Sequence, residues 1–442
     1  MQKAKGIVNI QIGRCGNQIG TKFWETIANE HGIEPDGTYK GDSPLRSERI
    51  GVYFKEMKGN KYAPRTVLID SEPRLLEAIN FSRYGKIFRL NNFLFCISSN
   101  YTKGYYVEEM DVDMAMDIIR REAEISDGLQ GFQFMYSLGG GTGSRLGSLL
   151  ITKIREEYPK RTLSSFSMFP TTKLWDALAT EPYNATLSAP HLIENIDETF
   201  CIDNEALRDI SLRTLRLTQP LYSDFNHIAS MAISGVTSLF RFPGQLNADL
   251  HELAINMIPL PKLHFLMFGC TPLTTRNAPE LELCKTNDLI QQLFDMRHMM
   301  AAYDPRNGRY LAASAVFRGP ISMEDLESEM SDVRMTMTPK DIPKNIKLAI
   351  RDIPTRRTKN SAISLFNTTA IREIFSNIRT KYEAIFHRKK NLHWYESEGM
   401  SEAEFIEADN TIKDIIAEYQ QIDDGNWNDK IDNQVDNVEL TG

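Results

Sequence analysis

Short apolar runs of β type alternate with segments of helical period through the first half of the chain. Ile7-Val8-Asn9-Ile10 is the first run, Gly13-Arg14-Cys15-Gly16 follows as a loop, and a helix is predicted from near Gln18, with Ile19, Phe23 and Ile27 on one face. Val67-Leu68-Ile69, closed by Asp70 and followed by Pro73, predicts a second strand, and Phe93-Leu94-Phe95 a third. Val112, Met116 and Ile119 predict a helix over 108–125. Residues 132–136 predict a strand; after a glycine loop, Leu146, Leu149, Leu150 and Ile154 predict the next helix. Strand, loop and helix in this order predict an α/β fold with a parallel sheet and ligand loops at the C-terminal ends of its strands.

The middle, from about 205 to 370, is mixed, with strands predicted over 263–269 and 311–317. Residues 339–360 hold seven Lys or Arg against two Asp and read as a solvated loop. The end is helical. Ile371, Ile374, Phe375, Ile378, Tyr382 and Ile385 recur at helix spacing; Ser401 and Glu404 form a capping box, with Met400 and Phe405 as its hydrophobic staple. Ile412, Ile415 and Tyr419 continue that second apolar face, and the polar residues after Gln421 predict a disordered tail.

Composition adds limits. The chain has 442 residues, 41% apolar and 25% charged, ordinary for a globular protein. That length predicts about three core-bearing units. No run approaches a membrane span, and Met1-Gln2-Lys3-Ala4-Lys5-Gly6 has no apolar signal core, so neither a membrane nor secretion is expected. Five cysteines without a close pair read as free thiols in a reducing compartment. The net charge of −8 is concentrated: residues 401–442 hold twelve Asp or Glu against two Lys, and the rest is near neutral. That balance argues against nucleic acid as a partner and leaves an acidic end for basic ones.

Gly139-Gly140-Gly141-Thr142-Gly143-Ser144 is the strongest chemical signal. Glycines let backbone N–H groups approach an anion, and a helix start adds partial positive charge. No Gly-Lys-Ser/Thr follows, so it is not a P-loop, and its third glycine falls one residue late for a dinucleotide fingerprint. A phosphate cradle and a plain tight turn both fit.

The wording of this loop and of others resembles the tubulin family. Ser137-Leu138 with the glycine run looks like its phosphate signature, and Gln11-Ile12-Gly13-Arg14-Cys15-Gly16-Asn17-Gln18-Ile19-Gly20 like its first nucleotide loop. Glu181-Pro182-Tyr183-Asn184-Ala185-Thr186-Leu187-Ser188, Cys201-Ile202-Asp203-Asn204-Glu205-Ala206-Leu207 and Arg241-Phe242-Pro243-Gly244-Gln245-Leu246-Asn247-Ala248-Asp249-Leu250 match too. The match extends through His393-Trp394-Tyr395 to Glu418-Tyr419-Gln420-Gln421, in wording nearest to the beta type. The resemblance implies a tubulin-like α/β fold: a parallel-sheet GTP-binding domain (1–204), an α+β intermediate domain including the core helix (205–370), a C-terminal helical hairpin (371–421) and a disordered acidic tail (422–442). It implies GTP/GDP with Mg²⁺, a heterodimer with alpha-tubulin, other tubulin subunits as neighbours in a microtubule, and motors or microtubule-associated proteins at the acidic surface, in cytoplasm and cytoskeleton.

Carried over by position, Gly141, Thr142 and Gly143 hold phosphates with Ser137 at the same loop, and Glu72 lies toward Mg²⁺. Asn204 and Asn226 present amides to the guanine edge, and Tyr222 stacks on the base. The i,i+4 spacing of 222 and 226 independently puts a ring face and a two-way hydrogen-bonding edge on one helix side. Asp176 and Glu181 would suit ribose hydroxyls, but the segment between them is one residue longer than the family pattern.

The departures sit at working parts. Arg14 stands where the family has a glutamine beside phosphates and metal, and Arg145 where it has a glycine. A guanidinium there can grip phosphate, displace the metal or point into solvent. The loop 96–102 is three residues short and lacks the expected glycines, and 334–341 is short and lacks a tryptophan. The lateral loop 276–282 offers Pro279, Leu281 and two carboxylates in place of an aromatic or histidine key. Glu252 is an alpha-type carboxylate on a beta-type chain, in a loop that in the family reaches the next subunit's nucleotide. It reads either as a general base for water or as a helix glutamate far from any phosphate. Three functions are weighed: a specialised beta-type tubulin coupling GTP hydrolysis to polymerisation, a non-polymerising tubulin-like binding module, and an oxidoreductase on a doubly wound sheet, which the glycine spacing disfavours.

Overall fold

A computed structural model describes residues 5–96, 108–126, 128–170, 180–244, 246, 249–279, 281, 283–336, 346–355, 358–397 and 399–425. The strands are β1 (Gly6–Ile12), β2 (Phe54–Met57), β3 (Lys61–Pro64), β4 (Thr66–Asp70), β5 (Phe93–Phe95), β6 (Leu129–Ser137), β7 (Thr162–Phe169), β8 (Glu198–Asp203), β9 (Phe265–Thr271), β10 (Tyr310–Arg318), β11 (Lys347–Arg351) and β12 (Ser361–Thr368). The helices are α1 (Gly13–His31), α2 (Pro44–Ser47), α3 (Pro73–Asn80), α4 (Glu108–Glu124), α5 (Gly141–Glu157), α6 (Glu181–Asn195), α7 (Asn204–Asp209), α8 (Tyr222–Arg241), α9 (Leu250–Met257), α10 (Thr286–Leu293), α11 (Met323–Thr336), α12 (Arg372–Phe386), α13 (His393–Glu396) and α14 (Glu402–Asp423).

Ten strands form one sheet in the order β11-β10-β12-β9-β8-β7-β6-β1-β4-β5, while β2 and β3 make a separate hairpin. From β8 to β5 all pairs are parallel. β12 runs antiparallel to both of its neighbours, so the other half is mixed. The halves meet at two residue pairs, Thr199 with Phe265 and Phe200 with Leu266. β1 and β4 are buried on both faces, as strands between two helix layers are; the polar Asn9 and Gln11 of β1 and Thr66 of β4 are buried with them and hydrogen-bond to one another. Side-chain alternation sends Val8, Ile10 and Ile12 to a core with α4, α5, α6, α12 and α14, and Ile7 to one with α1 and α8. At the C-terminal end, Tyr183, Tyr382, Tyr395 and Phe405 join edge to face, clamping the α12–α14 hairpin onto α6. Glu404 accepts from the Ser401 backbone N–H at 3.1 Å, and Met400 and Phe405 are both buried beside it.

Three expectations change. The loop 13–16 is the first turn of α1, so the helix starts at Gly13 and not near Gln18. Gly13 turns the chain at φ +71, and a Cβ at Gly16 would lie 2.0 Å from the Met135 carbonyl oxygen. Within 339–360, residues 347–351 form edge strand β11, and Arg351 is buried, donating to the carbonyls of Leu246 (2.7 Å) and Leu239 (3.3 Å). Charge counting could not foresee carbonyl partners contributed by α8 and the loop after it, about a hundred residues away. Third, α14 continues past Gln421 to Asp423; residues 426–442 lie outside the described ones. The five cysteines are free thiols.

Candidate nucleotide site

The turns after β1, β4, β6 and β8 all lie at the C-terminal ends of neighbouring parallel strands. Two of these turns touch. A Cβ at Gly13 would lie 3.2 Å from the backbone N of Gly143, and one at Gly143 2.9 Å from the Ser137 carbonyl oxygen. The starts of α1 and α5 therefore converge beside Ser137 because both positions lack side chains. Neither helix has a side-chain cap or an acidic residue in its first turn. Uncapped N–H groups and two helix dipoles aimed at one place favour an anion.

The turn after β4 leans on both. Ser71 Oγ lies 2.9 Å from Thr142 Oγ1. Asn17 donates to the carbonyls of Ile69 (2.8 Å) and Gly13 (3.0 Å) and to Asp70 Oδ2 (3.3 Å). Asp70 Oδ1 accepts the Glu72 backbone N–H at 3.0 Å. Burial pushes the Asp70 carboxyl up, against these hydrogen bonds. Arg14, in the first turn of α1, forms an ion pair with Glu72. The expected Mg²⁺ does not fit these side chains as placed: Glu72 is engaged by a guanidinium, and both Asp70 oxygens serve internal hydrogen bonds.

The i,i+4 pair lies on one helix: Tyr222 opens α8, and Asn226 sits a turn later, its amide donating to Gln18 Oε1 at 3.4 Å. Gln18, Tyr222 and Asn226 line a cleft of about 370 Å³ between α1 and α8. Its other walls include Lys22, Glu25 and Arg276. The Tyr222 ring is mostly exposed and meets Phe225 edge-on at 5.7 Å. Asn204 starts α7 directly after β8, on the same rim but not among the residues lining this cleft; Asp203 caps that helix through the Glu205 N–H at 2.9 Å.

Other expected residues lie elsewhere. Arg145 is half-buried and its charge bears on His191, whose pKa falls through burial and then through Arg145. Glu181, first in α6, packs against Gly139. Asp176, 97–102, 337–341, Glu280 and Glu282 lie outside the described residues. Leu281 is half-buried and pairs with Thr358. Glu252 is at the opposite end of the sheet. Leu250, which starts its helix, donates to Gln130 near the beginning of β6, while Ser137 ends that strand. At about 3.3 Å per residue, Glu252 is on the order of 20 Å from its own glycine loop.

Sequence reasoning gave no role to three residues that hold the cradle. Asn17 ties the start of α1 to the end of β4. Tyr395 donates to Asn184 Oδ1 at 2.8 Å, and Asn184 donates to the Gly139 carbonyl at 2.9 Å, so the C-terminal region reaches the glycine loop through a buried relay. All three lie in the quoted matching words, but their partners are distant in sequence.

A glycine cradle at the strand ends of a parallel sheet defines a nucleotide-binding α/β protein with a helical C-terminal hairpin. Residues 6–211 match the family description "Tubulin/FtsZ family, GTPase domain", and residues 261–380 match "Tubulin C-terminal domain". The chain belongs to the tubulin family, and its ligand class is GTP/GDP. No helix among the described residues is long and apolar enough to cross a membrane.

Proposed function

We propose that this chain is a beta-type tubulin subunit that holds a guanine nucleotide in the 137–143 cradle, pairs with alpha-tubulin and enters microtubules in the cytoplasm. The observation that carries it is the meeting of two uncapped helix starts at Gly13 and Gly143, on the rim that also bears Asn204 and Asn226. In this reading Ser137, Gly141, Thr142 and Gly143 receive phosphates, Tyr222 takes the base face, and Asn204 and Asn226 its edge. Magnesium enters only as far as the nucleotide itself brings it, because Glu72 is engaged by Arg14. Glu252, remote from its own cradle, then faces the partner's nucleotide in a head-to-tail contact and acts there as general base. Domains divide at 204 and 370, the hairpin runs on to the end of α14 at Asp423, and basic motors or associated proteins read the acidic end.

The test is nucleotide content. Asn204→Asp exchanges an N–H₂ donor for an anionic acceptor and should lower the preference for guanine by about tenfold, the scale of one lost hydrogen bond to a charged or polar edge. Adenine nucleotide, or none, extracted from the native protein would sink the reading. A second reading, a tubulin-like module that does not polymerise, is favoured by Leu281: its backbone bridges to Thr358 and its side chain is half-buried, where the family resemblance implied an aromatic or histidine key. Co-assembly with ordinary tubulin separates the two.

A further inference from the structure

Arg14 is an electrostatic anomaly. It is a cation in the first turn of α1, where the helix dipole already presents positive charge, and no acidic residue of that turn compensates it. Its compensation comes from another loop: Glu72, the N-cap position of α3. Both side chains are about half-exposed, so water screens the pair and either partner can be exchanged. Their backbones are not free to drift. Gly13, next to Arg14, abuts Gly143; Ser71, next to Glu72, meets Thr142 through its hydroxyl. The guanidinium thus stands at the mouth of the anion cradle, tethered on one side to each phosphate-facing turn.

A divalent cation beside a nucleotide neutralises phosphate charge and is oriented by one or two carboxylates and waters. Here the available carboxylate holds a guanidinium, and the buried Asp70 is used internally. A guanidinium matches phosphate with two parallel N–H donors and is always charged. We propose that Arg14 is the protein's own counter-cation for the nucleotide phosphates, filling the place of a divalent ion, and that Glu72 holds it in position until phosphate takes over. This rests on the reading that guanine nucleotide occupies the 137–143 cradle. Its consequence is nucleotide binding that persists without a divalent metal.

The experiment titrates the purified protein, with any subunit that copurifies, using a fluorescent GTP analogue in excess Mg²⁺ and in EDTA. Wild-type affinity should differ by less than about threefold between the two, whereas Arg14→Gln should lose about tenfold or more in EDTA and regain it in Mg²⁺. Glu72→Gln separates the roles by sign. As a tether it can be removed with affinity unchanged or tighter in both buffers; as a metal ligand its loss would weaken binding only in Mg²⁺. Manganese should bind the wild-type GTP complex no more tightly than it binds free GTP, and more tightly in Arg14→Gln, read by electron paramagnetic resonance. Arg14→Lys, which keeps the charge without the fork, carries the same titration if the glutamine variant melts early, and should show a smaller EDTA loss. Wild-type release of nucleotide in EDTA, or metal-dependent weakening in Glu72→Gln, overturns the proposal alone. Failure to bind guanine nucleotide even in Mg²⁺ overturns it together with the functional reading.

Discussion

Glu252 answers to its own chain before any neighbour. Burial, and then Arg49, holds the Arg351 guanidinium down to about 10, and Glu252 and Asp352 oppose that fall. Arg351 in turn anchors the loop before α9 by donating to Leu246, and it fills the space a side chain at 244 would need. A lysine at 252 would add a third cation to this group. We expect Glu252→Lys to cost about 1 kcal/mol, limited by the partial exposure of residue 252, and Glu252→Gln less. Thermal melts of the two variants check this. The catalytic reading is tested by the glutamine form, which removes a general base without adding charge. If Glu252 activates water at the partner's nucleotide, the GTP:GDP ratio there in assembled polymer should rise in Glu252→Gln; an unchanged, GTP-only site in the wild type would end it.

At the scale of elements, the end of α14 joins the hairpin to the sheet. Ile422 is buried, Thr369 donates to Asp423 Oδ1 at 2.8 Å, and Arg372 pairs with the same carboxylate. Burial would raise the Asp423 carboxyl, but these contacts hold it below its ordinary value. An acid at a helix C-terminus is unfavourable toward the dipole, and Arg372 offsets it. Ending the chain after Gln421 should therefore cost about 2–3 kcal/mol, a buried isoleucine plus its polar neighbour, while ending it after Gly425 should change stability by less than about 0.5 kcal/mol. Urea unfolding of the two truncations distinguishes them, and equal midpoints would refute the role assigned to the last turn. The sequence made the capping box and staple of this helix legible because both use residues within a turn of each other. It misplaced the C-terminal boundary because Arg372 and Thr369 are some fifty residues away.

Across the whole molecule, Glu30 of α1 binds Arg241 of α8 (2.8 Å) and Arg318 of β10 (3.0 Å), all fully buried, with Phe242 covering both guanidiniums. Burial would raise Glu30, yet the two arginines hold it down to about 2. Burial lowers His31 to about 3 and His264 to about 4. Burial, with Asp197 adding to it, raises Glu198 well above 4.5. The signs differ. Unfolded histidines take up protons below about 6.5 while the folded ones do not, so stability falls with falling pH from there. Glu198 acts oppositely: its contribution is complete below 4.5 and is lost as pH rises through its folded value, and Asp70 shares that direction. Below 4.5 the unfolded Glu30 protonates before the folded one, adding to the histidine loss. His191 and His298 are lowered by burial as well, so the histidines outnumber the raised carboxyls, and the melting temperature should fall with falling pH between about 6.5 and 4.5, less steeply than the histidines alone would make it, and steeply below 4.5. Glu198→Gln should steepen the slope between about pH 4.5 and 6.5. A slope unchanged by that substitution would mean that Glu198 does not oppose the histidines.

Periodicity and glycine placement were sufficient, from the sequence alone, for the alternation of strands and helices, the helix-side pairing of Tyr222 with Asn226, and the loop that became the cradle. Each depends on neighbours within a turn or a strand, where backbone geometry fixes direction. Tertiary structure decided what meets what: Arg14 with Glu72, Arg145 near His191, Arg351 buried against carbonyls of α8 and the loop after it, Glu252 at the far end of the sheet, and Tyr395 reaching Gly139 through Asn184. A charged side chain's partner is set by which strands lie side by side. That order, with β12 between β9 and β10, follows from packing the whole chain, not from any local pattern.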